Sequence, residues 1–407
     1  MAIKSPFHDR TSALCTSLKW KEWAGYYAVE RYQFNHDQEY YAFRESAGLL
    51  DVSPLFKYEI RGKDALKLMN RVLCRDVGRM KDNQVAYSCW TDERGKVLDD
   101  GTVARFSPER FRLFSAHPSY YWLLQNAQRL DVEVQDITVQ TGALALQGPR
   151  SRAILSQLAD VDKLRYFHQI QAKVDGLDVV ISRTGYTGDL GYELWVEAEH
   201  ANKLYDAVWA AGKDYNILPA GILALDMVRV EAGFIMVDVD FRSCTYCVTD
   251  DQMSTPYEIG LGWTVHMDKG PFIGKAALEK EKRQGSAWSL VGLDVSLEEL
   301  EKLFDARGLP LDLPCTTWRG VVPLFDSLTH RQVGYATSGV WSPLLKRYIA
   351  LATVQSRYAK LGTVMKMEAL IDTDRRHVSA RVVPKPFFDP ARKKSVGSDV
   401  ALVPALV

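Results

Sequence analysis

The sequence predicts an α+β protein with antiparallel sheets, and three observations carry that expectation. Tyr58 and Ile60 alternate with polar neighbours, and after the turn Gly62-Lys63-Asp64 come Leu66, Met69 and Leu73 at helical spacing, a strand followed by a helix. Runs at 85–90, 97–106 and 111–115 are separated by the turns Asp92-Glu93-Arg94-Gly95 and Ser107-Pro108-Glu109-Arg110, and an amphipathic segment spans 120–130. Short apolar runs at 290–295, 321–325, 333–338, 349–354 and 380–383 imply a small β-barrel or jelly roll.

The remaining elements follow in order. The stretch from Trp20 to Tyr41 is rich in aromatics, with packing between domains as the default role and a ligand-site wall as the alternative. A short helix is expected over 39–47. Leu144-Ala145-Leu146-Gln147-Gly148-Pro149 reads as a buried strand ending in a sharp turn, with a helix over 151–158. Leu204, Ala207, Val208 and Ala211 share one face of a helix over 198–211, and Pro219-Ala220-Gly221 opens another over 222–232.

The 407 residues, 47% of them hydrophobic, are enough for two or three domains. With 51 basic and 51 acidic residues the net charge is zero, so no overall field favours nucleic acid or a membrane surface. Six cysteines lack the density of a disulfide scaffold, and the N-terminus Met-Ala-Ile-Lys-Ser-Pro-Phe-His has no apolar signal core. A reducing, cytoplasmic setting is expected. No apolar run approaches the roughly 20 residues that a membrane span needs.

Between the apolar runs 179–181 and 194–196 lies Ser182-Arg183-Thr184-Gly185-Tyr186-Thr187-Gly188-Asp189-Leu190-Gly191-Tyr192-Glu193. Three glycines in seven residues permit positive φ and close approach to a ligand. Tyr186 and Tyr192 offer aromatic faces and Glu193 a carboxylate, a set suited to a flat heterocycle with ring N–H donors. A decorated surface hairpin is the plainer alternative.

Two further features bear on chemistry. In Gly95-Lys96-Val97-Leu98-Asp99-Asp100 the adjacent aspartates of a strand point to opposite faces, so one at most serves a given ligand. Cys244-Thr245-Tyr246-Cys247 has no second Cys or His pair at zinc-site spacing and no thioredoxin-like context, so no metal site is expected. No Gly-x-Gly-x-x-Gly fingerprint opens a βαβ unit, and no redox cofactor is expected.

Arg183-Thr-Gly-Tyr-Thr-Gly188 followed by Gly191-Tyr192-Glu193 resembles the pterin-binding loop of the glycine cleavage T-protein (aminomethyltransferase) family. So do Gln147-Gly148-Pro149, Thr255-Pro-Tyr-Glu-Ile-Gly-Leu261, Phe272-Ile-Gly-Lys-Ala-Ala-Leu278, Ser338-Gly339 with Ser342-Pro343, and Lys385-Pro386-Phe387-Phe388, in family order over roughly residues 40 to 390. The resemblance implies a three-domain fold around a folate channel, with ferredoxin-like α+β domains and a C-terminal β-barrel. A discontinuous folate domain would take 1–50 and 140–245, a second domain carrying Asp100 would take 51–139, 246–284 would connect, 285–392 would form the barrel, and 393–407 would be a loose tail.

The same resemblance implies roles. Tetrahydrofolate is the expected cofactor. Glu193 would hold the pterin, Tyr186, Tyr87, Arg183 and Phe234 would line its pocket, and Leu55 would stand where relatives place a folate-touching methionine. Asp100 matches the principal catalytic carboxylate, expected to be ionised near its ordinary pKa of about 3.9. Leu225, Tyr32 and Trp23 fall on the substrate side. Leu225 replaces the arginine of the family's Gly-Leu-Gly-Ala-Arg-Asp, and leucine reproduces neither its charge nor its bidentate bonding. The segments 237–254 and 297–314 depart most from the family pattern.

These features favour a tetrahydrofolate-dependent one-carbon transferase taking a methyl or methylene unit from a small N-, O- or S-methylated donor, demethylase-like. The alternatives are an aminomethyltransferase acting on a lipoyl carrier protein, and a folate-binding accessory protein, whose Lys-Gly-Cys-Tyr-x-Gly-Gln-Glu signature this chain lacks.

Overall fold

The computed structural model describes residues 2–397. Its first sheet has six strands in the order Gln169–Val174, Leu177–Ser182, Gly191–Glu197, Thr141–Gln147, Ala47–Asp51 and Ile217–Pro219. Only the last pairing is parallel. Every residue of Thr141–Gln147 is buried, because both faces of the sheet are covered. Leu144, Leu146, Leu194 and Val196 meet Leu204 and Val208 of the helix Ala201–Gly212 on one side. Ala143, Ala145 and Trp195 meet Ala224 and Val228 of the helix Ile222–Glu231 on the other. The period of two thus divides the strand between two cores.

A second, fully antiparallel sheet runs Gln84–Thr91, Val97–Ser107, Arg110–Ser115, Phe56–Arg61, Glu133–Asp136. The helix Ala65–Val72 buries Ala65, Leu68, Met69 and Val72 at i, i+3, i+4 and i+7 against it. At that helix's C-terminal end the Lys269 ammonium donates to the carbonyls of Asn70, at 2.9 Å, Leu73 and Arg75, a cation where the helix dipole is negative.

The C-terminal unit is a closed six-stranded barrel. It contains the five expected runs, lengthened, and a sixth strand that the sequence reading missed, Val364–Ile371. There only Met365, Met367 and Ile371 are buried, and charged neighbours break the apolar run. Within the 297–314 insert lies the helix Leu297–Asp305, capped by the Ser296 hydroxyl and docked through Leu300 and Phe304. Glu299 fastens it to the barrel by accepting from the Ser379 N–H at 2.8 Å and Lys366 Nζ at 3.0 Å.

Two buried ionic clusters join the units. Arg44 donates to Glu231 at 2.6 and 2.8 Å and to the Thr187 carbonyl at 2.9 Å, while Tyr40 and Ser342 donate to the same Glu231. Arg229 is shared between Asp226 at 2.8 Å and Asp240 at 2.5 Å and donates to the Ser338 hydroxyl of the barrel.

The expectation of a loose tail from residue 393 fails for its first part. Arg183 donates to the carbonyls of Lys393 and Ser395 at 3.0 and 2.7 Å, and Arg152 to those of Ser395 and Gly397 at 2.7 and 2.6 Å. Residues 398–407 of that tail lie outside the described residues. Among the described residues no helix is long and apolar enough to cross a membrane.

Candidate active site

The glycine loop joins the strands Leu177–Ser182 and Gly191–Glu197, which pair antiparallel with Ser182 opposite Glu193. Gln147, from the neighbouring strand, fixes its shape. Its amide donates to the Thr184 and Tyr192 carbonyls at 3.1 and 3.2 Å and accepts from the Thr187 hydroxyl at 3.0 Å. A Cβ on Gly185 or Gly191 would lie 2.0 or 2.2 Å from the Gln147 side-chain oxygen. Those two positions are therefore glycine to admit Gln147, and only Gly188, at φ +75°, needs the left-handed region. The sequence reading had assigned all three glycines to ligand approach or positive φ.

Glu193 lies on the same face of its strand as Trp195, toward the helix Ile222–Glu231. Its carboxylate accepts from Thr184 Oγ1 at 2.5 Å and forms no ion pair among the described residues. Burial raises its pKa, partly offset by the hydroxyls of Thr184 and Ser182. Tyr186 stacks on Phe234, with centroids 5.6 Å apart and planes at 27°, and its hydroxyl donates to the Ile235 carbonyl. Burial raises the phenol pKa, and the fields of Asp100 and Asp240 add to that.

The second sheet contributes the other wall. Tyr87 and Asp100 lie on neighbouring strands, and the Tyr87 hydroxyl donates to the Asp100 carboxylate. Asp99 points the other way, as strand alternation requires, and accepts from the N–H groups of His117 and Asp100, both at 2.9 Å. Asp100 departs from the expected ordinary carboxylate. Burial raises its pKa to about 6 against the opposing Tyr87 hydrogen bond, so it remains ionised at neutral pH but titrates close to it.

Leu225 is buried in the apolar cluster beneath the site, and Trp23, Leu55 and Tyr186 lie partly exposed against that cluster. Two expected site residues fall elsewhere. Tyr32 is buried with Cys15 and Val29, and its N–H donates to Glu39 at 2.7 Å, which makes it a core residue beneath the hairpin Lys19–Trp23/Tyr26–Arg31. Arg183 is fully buried and spends its guanidinium on the carbonyls of Leu164, Lys393 and Ser395. It alternates away from the site and anchors the C-terminal segment. Cys244 and Cys247 are free thiols facing the carbonyls of Lys96 and Ser243. The 237–254 segment crosses the Asp92–Gly95 turn, where Arg94 meets Asp250 at 3.1 Å.

Sequence reading passed over Asp226, Arg229 and Asp240. The one available signal was a charged i, i+3 pair, Asp226 and Arg229, inside an otherwise apolar helix, a pattern that marks a buried ion pair.

These residues suit a reduced pterin. Glu193 is a desolvated acceptor whose partners are hydroxyls, Tyr186 and Phe234 form a flat aromatic wall, and Asp100, held by Tyr87, lies within the field felt by Tyr186. In tetrahydrofolate, Glu193 would take the ring N–H donors and Asp100 would face developing positive charge.

Fold and site define a class: two α+β units with largely antiparallel sheets and a closed barrel, with buried carboxylates on both sheets. The chain belongs to the glycine cleavage T-protein family. Residues 7–269 match the GCVT N-terminal domain and 307–389 the glycine cleavage T-protein C-terminal barrel domain. It is 34% identical over 363 residues to an aminomethyltransferase of Caldanaerobacter subterraneus subsp. tengcongensis, covering 88% of each chain. An aminomethyltransferase of Desulfitobacterium hafniense is 32% identical, covering 86% of this chain and 89% of its own. The crystal structure of the glycine cleavage system aminomethyltransferase T from Bartonella henselae superposes with a TM-score of 0.81 at 23% identity, over 96% of this chain and 99% of that one.

Proposed function

We propose that this protein is a tetrahydrofolate-dependent one-carbon transferase, and that it acts as an aminomethyltransferase on the aminomethyl group of a lipoyl carrier protein. The observation that carries the reading is the pair of buried carboxylates, Glu193 and Asp100, whose side-chain partners are hydroxyls and which make no ion pair among the described residues. The aminomethyltransferases that match most of the chain support the carrier as donor. This reverses the preference that the sequence alone gave to a small methylated donor.

Bound tetrahydrofolate supplies the nitrogen that accepts the one-carbon unit. Glu193, with its pKa raised by burial, gains most from ring N–H donors that restore its lost hydrogen bonds. Asp100, positioned by the Tyr87 hydroxyl, stabilises positive charge as it develops at nitrogen. Tyr186 and Phe234 exclude water from the pterin face.

One observation favours a second reading. Leu225, buried in the cluster against which Trp23 and Leu55 pack, offers no cation to a carrier arm, which leaves room for a small methylated donor. The deciding experiment supplies tetrahydrofolate with either an aminomethyl-loaded lipoyl carrier or a panel of methylated amines, thioethers and aryl ethers. Formation of 5,10-methylenetetrahydrofolate and ammonia from the carrier alone supports the first reading. Methyl loss from a small donor with an inert carrier overturns it in favour of the second.

A further inference from the structure

Asp240 follows the aromatic wall of the site in the chain, and its buried carboxylate has every acceptor position filled. Oδ2 accepts from Arg229 Nη1 at 2.5 Å and from the Met236 N–H at 2.9 Å. Oδ1 accepts from the hydroxyls of Thr337 and Ser338, on the barrel strand Gln332–Ser342, at 2.6 and 2.7 Å. A carboxylate offers about four lone-pair sites, and here one oxygen is spent on each side of the junction.

What these bonds hold is the run Phe234-Ile235-Met236. The Phe234 N–H donates to the Arg229 carbonyl at 2.9 Å, and its carbonyl accepts from Arg229 Nη1 at 3.1 Å. The Ile235 carbonyl accepts from the Tyr186 hydroxyl. Met236 is tied to Asp240 through its N–H and, at 2.8 Å, through its carbonyl. Three consecutive residues are thereby fixed, and the ring of the first stacks on the phenol that the second receives. An ion pair alone would not need this arrangement. Arg229 already faces Asp226 at 2.8 Å, and charge balance leaves the Met236, Thr337 and Ser338 bonds without a purpose. Thr337 and Ser338 are buried and offer no surface to a ligand. Their hydroxyls reach the wall through Asp240 and the Arg229 that it binds. Asp240 also acts on the reactive carboxylate from a distance: burial is the main cause of the raised Asp100 pKa, and the Asp240 charge adds to it.

We propose that Asp240 is a positioning residue through which Thr337 and Ser338 of the C-terminal barrel set the stacked Phe234–Tyr186 wall for tetrahydrofolate. The inference rests on the folate reading above and gives the docked barrel a part in ligand affinity.

The test compares wild type, Asp240→Asn, Thr337→Val and Thr337→Ser in tetrahydrofolate affinity by calorimetry and, with the donor found by the experiment above, in KM, kcat and the pH profile of transfer. Asp240→Asn keeps the shape but sets an amide donor against Arg229 and the Met236 N–H. It is expected to weaken tetrahydrofolate ~10-fold, as loss of charge-assisted contacts implies. Its acid limb should move below the wild-type midpoint near pH 6, because a negative neighbour of Asp100 is gone. Tyr87 and Asp99, the other side chains that act on the Asp100 carboxylate, are untouched by these substitutions. Thr337→Val removes only the hydroxyl and should raise KM for tetrahydrofolate ~3-fold with kcat nearly unchanged. Thr337→Ser returns the hydroxyl and should restore KM. Folded Asp240→Asn with wild-type affinity and an unmoved acid limb would make Asp240 a stability element only and overturn the inference. So would a Thr337→Ser as weak as Thr337→Val. Failure of folded wild type to bind tetrahydrofolate overturns the folate reading with it.

Discussion

Two groups of buried carboxylates in this molecule are held in different ways. Where helix, sheet and barrel join, Glu231, Asp226, Asp240 and Asp189 each meet a guanidinium at 2.5–2.8 Å. At the cleft, Glu193 and Asp100 meet hydroxyls. The first arrangement is electrically complete in the protein by itself. The second leaves desolvation uncompensated, and burial raises the pKa of both Glu193 and Asp100. The paired carboxylates hold the fold together, and Glu193 and Asp100 keep acceptor capacity for a partner from outside.

Breaking the first kind should cost most. Arg44→Met strands Glu231 in the core, and the expected loss is about 3–5 kcal/mol of stability, read by denaturant unfolding. Replacing Arg44 and Glu231 together with apolar residues should cost less than the single change, since no orphaned charge remains.

Asp100→Asn removes a charge that the fold tolerates poorly and that the proposed reaction uses. One-carbon transfer should fall by about 10²–10³, while stability at neutral pH should rise by up to roughly 2–3 kcal/mol. The sign follows from its pKa of about 6, above the unfolded value. Between the two values the folded protein holds a proton that the unfolded chain has released, so this term falls as pH rises through that window. A variant that is slower and no more stable would show that the Asp100 charge is already compensated within the protein.

The same pKa sets the pH dependence of transfer. Below pH 6 the ionised form of Asp100 declines about tenfold per pH unit, and the rate should follow, measured at saturating substrate over pH 5 to 8. A rate that is flat down to pH 5 would remove Asp100 from the charge-stabilising role. The smallest effect is expected at Arg183. It serves the C-terminal segment, so Arg183→Met should lower Tm by a few degrees and leave tetrahydrofolate affinity unchanged; a large loss of affinity would return it to the pterin pocket.

The sequence revealed the fold's elements wherever local periodicity matched local burial. Leu66, Met69 and Leu73 marked a helix, although its buried face proved to be Ala65, Leu68, Met69 and Val72, and Asp99-Asp100 alternated across a strand as expected. The strand Val364–Ile371 escaped because Lys366 and Glu368 interrupt its buried methionines. The site was legible as far as its motifs were local. Glu193, Tyr186 and Asp100 could be singled out as candidates, and Arg183 was misplaced because a motif names neighbours in the chain and not the face each one takes. The reason Gly185 and Gly191 are glycine lies in Gln147, some forty residues away, and Arg229 finds Ser338 only once the barrel has docked.

The most direct measurement is calorimetric titration of tetrahydrofolate into wild type and Glu193→Gln. The substitution keeps the size and the Thr184 contact while removing the charge. The account predicts saturable one-to-one binding to wild type and a loss of about 10- to 100-fold in Glu193→Gln, the range expected for charge-assisted hydrogen bonds. Equal affinity in the two proteins, or no binding to folded wild type, would contradict it.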